Sequence, residues 1–535
     1  MLHTLLWVEV LAAALLLVAC VTAAASRLKW RWHQILWPTL VALLTFGLAL
    51  VPVAVACYLR SKLLVHDWVI YTISLAVVFA AGALLIIFRG LWRKDGVVTA
   101  RAWPLARLGV GLVAATALFG ITFWNMDLAV RSRVAGLRAE AGTLALSVAP
   151  ARVPDNENAA FAYQKAFDAM GKQENTPPAW EEAANAAGDP RAALNINDPN
   201  LRAFMKTQEP ALALLRRAAA MPHCYFDRNY GQPGYDMALP DLTQLWRAGN
   251  LLAIDARLKA GDGKVHEALE DLAAAYALAQ QIVADPMLIS DLVAMSTDRL
   301  ATNGLEGILA TARPSAGDLA LLKLSDGMTY EQVLPRSMRM KEAMGLSALA
   351  MLAEGEEGFT VESLRFDSAL QPFLAIWRVF LVPDEVASYR AIMRRVVELA
   401  GRPYYAARDD WKTLEHGIQY GNDLGIVARI IMPAITGIPA SAAGGDARHR
   451  LATVAVAMAA CRAKTGKYPA ALPELVPEYL AAVPLDPFDG KPLRMKTSAD
   501  GIVLYSIGPD FTDDGGKDMN DKDSKGDITF HLPAK

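Results

Sequence analysis

With 535 residues, 53 Lys and Arg against 55 Asp and Glu, and a formal charge of −2, the chain lacks the cationic excess of a general nucleic-acid binder. Its length suits roughly two to four domains, and its 54% hydrophobic content favours membrane insertion. Four cysteines without ligand spacing give no pattern for a cysteine-based metal site.

Apolar stretches dominate the first 127 positions. They run at about 4–25, 34–58, 68–88 and 108–126, each near the ~20 residues that a helix needs to cross a bilayer. Trp30, Trp32, Trp37, Trp68, Trp92, Trp103 and Trp124 lie at or near their ends, where amphipathic rings favour the interface. A membrane α-helical bundle of four transmembrane helices is therefore expected over 1–127. Arg27, Lys29 and Arg31 load the first loop, and Arg89, Arg93, Lys94, Arg101 and Arg107 the third, whereas the second has Arg60 and Lys62. Positive loops stay inside, so everything after Asp127 is expected on the extracytoplasmic side of a bacterial inner (plasma) membrane. The segment LVAC ending at Cys20 looks like a lipoprotein box, yet no Lys or Arg precedes the apolar run and Glu9 interrupts it, so an ordinary span is the better reading.

From 128 to 424 a mainly α soluble domain is expected. Positions 150–200, rich in Asn, Pro, Ala and Glu, predict a loosely packed connection, and Asp198 with Pro199 supplies a helix start. Around the turn Gly261, Asp262, Gly263, apolar residues recur at helical spacing: Leu245, Leu251, Leu252, Ala256 and Leu258 before it, Val265, Ala268, Leu269, Leu272, Ala275 and Ala279 after it. The pair, at 242–284, predicts an antiparallel helical hairpin that is similar to half of a tetratricopeptide-type (TPR-like) repeat. No second copy follows at a fixed period, which favours a single hairpin over an array. Further helices are expected near 286–312, 316–325, 330–354, 360–380 and 383–400.

Catalytic patterns are sparse here. There is no HExxH helix, phosphate-binding loop, GxSxG elbow or paired CxxC. His223, His266, His416 and His449 are scattered, and each is expected to be a surface or packing histidine. Glu354, Glu356 and Glu357 read as a solvated acidic loop. Cys224 and Cys461 are the two cysteines that a disulfide outside the membrane would use.

After about Asp446 the pattern changes to a small α+β module, within a domain placed at 425–535. A helix from Arg448 to about Thr465 carries Leu451, Val454, Ala455, Met458 and Cys461 on one face and stops at Gly466. Pro469, Pro473, Pro477, Pro484 and Pro487 forbid another long helix. Leu493–Met495 and Ile502–Tyr505 predict a β-hairpin. Then seven aspartates fall within eighteen positions: Asp510, Asp513, Asp514, Asp518, Asp521, Asp523 and Asp527. Calcium takes about six to eight oxygen ligands, and a glycine-punctuated loop can supply them. The expected ligands are Asp510, Asp513, Asp514, Asp518 and Asp527. A disordered acidic tail is the alternative, against which Tyr505 and the run Ile528, Thr529, Phe530 look like flanking strands.

The motif order here resembles a known family. A helix, Gly466–Pro469 (Gly-x-Tyr-Pro), Leu475–Pro477 (Leu-Val-Pro), Asp486–Phe488 (Asp-Pro-Phe) and Leu504–Gly508 (Leu-Tyr-Ser-x-Gly) is similar to the globular domain of the major pseudopilin of type II secretion. The resemblance implies that the loop binds calcium and holds the carboxy-terminal segment, with Asp510 and Asp527 the most direct matches. It covers about 90 of the 535 residues. Pseudopilins also carry one hydrophobic amino-terminal helix; the nearest equivalent, Gly425–Pro439, is short, internal and broken by Pro433, so a filament subunit is not expected.

These readings combine into a membrane-anchored envelope protein that binds or scaffolds, with the lipid bilayer and a protein as partners, no nucleic acid, and calcium as a structural ion. An envelope hydrolase, with acidic residues in 223–241 or 354–367, and an accessory component of a secretion or pilus-like system are the alternatives.

Overall fold

The computed structural model describes residues 128, 130–171, 176–188, 194–234, 241–324, 329–354, 382–420, 432, 435, 437–499, 501–519 and 525–534. Contacts divide the chain into two compact units, Met1–Ala135 with Leu352–Val382, and Gly136–Met351 with Pro383–Lys535. The second unit holds the sheet and nearly all of the described helices.

The expected fold class needs correction. Among the described residues no helix is long and apolar enough to cross a membrane. The described elements are helices with one small sheet of three strands. Length alone does not make a span: the helix Leu288–Thr311 has 24 residues but carries Asp291, Asp298, Arg299 and Glu306, and the 28-residue helix Ile438–Thr465 carries Asp446, Arg448 and Arg450. The four apolar stretches at about 4–25, 34–58, 68–88 and 108–126 lie outside the described residues, as does the helix expected at 360–380.

In chain order the described helices longer than two turns are α1 (130–148), α2 (Ala159–Met170), α3 (Pro178–Ala187), α4 (Pro199–Thr207), α5 (Glu209–Ala219), α6 (Leu242–Gly261), α7 (Val265–Ile282), α8 (Leu288–Thr311), α9 (Tyr330–Glu354), α10 (Val382–Ala400), α11 (Tyr404–Tyr420) and α12 (Ile438–Thr465), and a single turn, Ala316–Leu319, follows α8. The described residues of the Asn- and Pro-rich segment before 200 are packed, not loose. Tyr163, Ala166, Phe167 and Met170 recur at i, i+3, i+4 and i+7 on α2 and are buried against α5, and Trp180 on α3 is only 4% exposed. Asp198 caps α4 as its position beside Pro199 predicts, its carboxylate accepting from Asn200 N at 2.7 Å and Leu201 N at 3.1 Å.

The body is the three-helix stack α6–α8, in which every pair packs together. The hairpin of α6 and α7 closes through Gly263, whose φ of 78° lies in the left-handed region where a side chain strains the backbone. Its flank is held by ions as well as by leucines. Arg216 on α5 reaches Asp271 at 2.5 Å and Asp255 at 2.9 Å, and Lys259 binds the same two carboxylates at 2.6 and 2.8 Å. Asp271 is buried, which pushes its carboxyl up to about 6 despite these cations.

Along α8, polar side chains at 291, 298, 302 and 306 recur at spacings that keep them on one face. Each faces a different element. Asp291 lies beside Ser337 of α9, Asp298 binds His449 of α12, Thr302 meets Tyr276 of α7 at 3.0 Å, and Glu306 accepts from His531 N at 3.0 Å. This makes α8 the axis of the unit.

α12 starts ten residues before the expected Arg448, because its first turns are built from Ala and Gly and show no apolar period. It ends at Gly466 (φ 81°), the left-handed stop that the sequence predicts. One face of the antiparallel sheet β1 (Arg494–Thr497), β2 (Gly501–Ser506), β3 (Ile528–Pro533) packs on α12. Register pairs Met495 with Leu504 and Leu504 with Phe530, so Leu504, Phe530, Ile502 and Leu532 form that buried face. The opposite face carries Arg494, Lys496, Val503, Tyr505, Thr529 and His531, and the aspartate loop folds over it.

Candidate functional site

The described parts of the aspartate loop, 510–519 and 525–527, are held by the protein itself. Asp527 is fully buried and accepts from Gly516 N at 2.6 Å and Asp514 N at 3.3 Å. Asp510 accepts from Thr512 N and Gly526 N, both at 3.0 Å. Asp513 accepts from Gly515 N and binds Arg494 Nε, each at 3.1 Å. Asp518 accepts from Thr529 Oγ1 and faces His531 Nε2 at 2.8 Å. Asp514 enters this lattice through its backbone N–H.

Over the described residues that arrangement corrects the metal-binding expectation. Calcium needs oxygens converging on one point. Here the carboxylates of Asp510, Asp513, Asp518 and Asp527 turn to separate donors, which are backbone N–H groups, a guanidinium, a hydroxyl and an imidazole. Among the described residues no group of three or more His, Cys, Asp or Glu side chains is placed to hold a metal ion. Asp521 and Asp523 lie outside the described residues. The loop instead acts as a lid on the outer face of the sheet, pinned at Arg494, Lys496, Thr529 and His531.

The Asp-Pro-Phe motif has a comparable structural purpose. Asp486 is fully buried and accepts from Phe488 N, Ser506 Oγ, Ile507 N and Arg494 Nη1 at 2.7–3.1 Å. It ties the turn before β1 to the end of β2. Phe488 then packs edge-on against Tyr404 and Phe511, with the Arg408 guanidinium 3.6 Å from the Phe511 ring.

Two polar centres in the helical body escape a motif search. The first lies where the segments before α6 and α8 meet. Arg228 forks onto Asp241 at 2.8 and 3.0 Å and onto Asp285 at 2.9 and 3.1 Å, while Asp285 also accepts from Tyr230 OH at 3.1 Å and Ser290 Oγ at 3.0 Å. Nearby Cys224 is a free, buried thiol that burial pushes up to about 12, so it is not poised as a nucleophile. Cys461 is free and buried on α12, and the two form no disulfide.

The second centre is His449. Its Nδ1 lies 2.8 Å from Asp298 Oδ1 and its Nε2 lies 2.8 Å from the Leu324 carbonyl. A neutral imidazole has one N–H, and here both partners are acceptors, so the ring is doubly protonated. Burial alone lowers its pKa; the Asp298 charge and hydrogen bond, with the Leu324 carbonyl, outweigh that and raise it to about 9. No ring nitrogen is left to act as a base. The group is a strut between α8, the 324 turn and α12.

Next to it Asp446 accepts from Tyr330 N at 2.7 Å and Glu331 N at 3.0 Å, capping the start of α9 from α12. Burial pushes its carboxyl up to about 7.

His449 should make stability depend on alkaline pH. Its folded value lies above the unfolded ~6.5, so its contribution is fully present below about pH 6.5 and lost as pH rises through about 9. On the order of 3 kcal/mol is at stake. The melting temperature of the wild-type chain should fall across this window, and that of His449→Leu should not. Parallel profiles would remove His449 as the cause.

Of the other histidines, His266 is exposed beside Asp318 at 2.7 Å and His416 packs at a tilt against Tyr420, while His223 serves α2 through its backbone carbonyl. Asp227 of the 223–241 segment is exposed against Arg152, and residues 355–367 lie outside the described set. The signal for the buried centres was present as charge at apolar positions: Asp271 falls between Leu269 and Leu272, and the α8 polar residues follow helical spacing. No family model, curated protein or solved structure matches the chain.

Proposed function

We propose that the chain is a binding or scaffolding module in which the stack α6–α8 receives an apolar segment of a protein partner. One observation carries this reading. Trp246 on α6 and Ile289 and Leu292 on α8 are 37%, 43% and 40% exposed, near the starts of two helices that pack side by side. Large apolar side chains gathered on one surface mark interaction sites more often than isolated ones do. Supporting it, the buried polar centres of Arg228 and His449 are consumed by their own partners, which suits a rigid support.

The carboxy-terminal module, similar in motif order to the pseudopilin globular domain, acts as a cap on this stack. Its β3 packs on α8, and the His531 N–H to Glu306 bond joins the two.

A photo-reactive residue at position 292 of the full-length chain tests the binding reading in cells that express it. A discrete cross-linked adduct is expected, absent when Trp246→Asp is added. The reading is overturned if position 292 gives no adduct, or the same adducts as position 267 on the exposed side of α7.

A further inference from the structure

We propose that Asp291 and Ser337 form a proton-operated latch between α8 and α9: the neutral carboxyl hydrogen-bonds across the interface, and its ionisation loosens the two helices. Asp291 sits in the first turn of α8 with 2% exposure, and neither of its carboxyl oxygens has a hydrogen-bond partner. Ser337 of α9 is fully buried beside it, and its Oγ is likewise unpartnered. Tyr330, two turns earlier on the same face of α9, has a buried hydroxyl in the same condition.

The surrounding charges do not neutralise this carboxyl. Arg336 is the nearest cation, but its terminal amino group donates to the Val283 carbonyl and it forms no ion pair with Asp291. Asp285, from the segment ahead of α8, adds negative charge and is itself held by Arg228, Tyr230 and Ser290. From α9 the facing groups are Arg336, Ser337 and Tyr330.

A charged carboxylate with no cation paired to it is strongly disfavoured in such a place, even when the Ser337 O–H turns towards it, whereas a neutral carboxyl carries no such cost and can itself donate to Ser337 Oγ. Burial, opposed by Ser337 and Arg336 and reinforced by Asp285, pushes Asp291 up to about 7. This folded value lies above the unfolded ~3.9. The latch contribution is therefore fully present below about pH 4 and lost as pH rises through about 7.

Hydrogen exchange of the full-length chain at about pH 5 and about pH 8 brackets the transition. After correction for intrinsic exchange, amides of 288–295 should open several-fold faster at the higher pH. Asp291→Asn, which keeps a neutral group of the same shape, should hold the low-pH rates at both, and Asp446→Asn should leave the wild-type response in 288–295 intact. A wild-type chain without the response, or one that keeps it with Asn at 291, overturns the proposal. If Asp291→Asn does not fold, infrared spectroscopy serves instead. A carboxylic-acid carbonyl band should titrate near neutrality in the wild type and shift in Ser337→Ala; a missing or unshifted band has the same overturning force.

Discussion

Asp486→Ala is expected to lower stability by about 3–5 kcal/mol, the range for removing one partner of a buried ion pair. The native carboxylate satisfies two backbone N–H groups, a hydroxyl and a guanidinium at once. Alanine leaves Phe488 N and Ile507 N buried without acceptors, each at a penalty of about 1–3 kcal/mol. Arg494 is the one partner that recovers, because Asp489 and Asp513 also bind it. Asp510→Ala provides the contrast. Its partners, Thr512 N and Gly526 N, lie in the partly exposed loop and can turn to water, so the loss there should stay near 1 kcal/mol. Urea denaturation of both variants, with unchanged slope, measures the difference. Equal losses would show that Asp486 holds no more of the module together than a loop residue does.

Arg228→Leu should be of similar size, about 3–5 kcal/mol. The substitution leaves Asp241 and Asp285 facing one another with no cation between them, and Asp285 is already raised by burial against the pull of Arg228. Without that pull its carboxyl should take up a proton, so the variant should be least stable at high pH and recover in part on acidification. Adding Asp285→Leu should restore much of the loss, since replacing a buried pair by apolar side chains is often nearly neutral. Thermal melts of the single and double variants, at two pH values, test this. Additive losses would mean that the two groups act independently and that the geometry misstates their coupling.

Both residues show why the buried centres were hard to read from sequence. Asp285 stands before Pro286 and looks like a helix start, and Asp486 belongs to a Pro-rich run that forbids helix. Their neighbours explain the position but not the partner, which lies 57 residues away for Arg228 with Asp285 and 20 for Ser506 with Asp486.

The aspartate loop shows the same divide from the other side. Its composition correctly marks a place where carboxylates must be satisfied, and calcium was a chemically sound expectation for it. Whether one ion or many protein donors does so depends on where β1 and β3 place Arg494, Thr529 and His531 relative to the loop. Sheet register sets that, and it is not a property of the loop.

Local chemistry therefore determined most element types: Asp198 and Pro199 begin α4, Gly263 turns the α6–α7 hairpin, Gly466 ends α12, and β-branched and aromatic residues mark β2 and β3. These signals act over a few residues, through backbone sterics, capping and side-chain periodicity, and so they are legible in one chain. The tertiary structure alone decided that α8 is the axis, that His449 is a charged strut, that Asp291 lies unpartnered against Ser337, and that the aspartate loop is a lid. Each of these depends on pairing distant segments in a low-dielectric interior, where the meaning of a charge is set by the groups that face it.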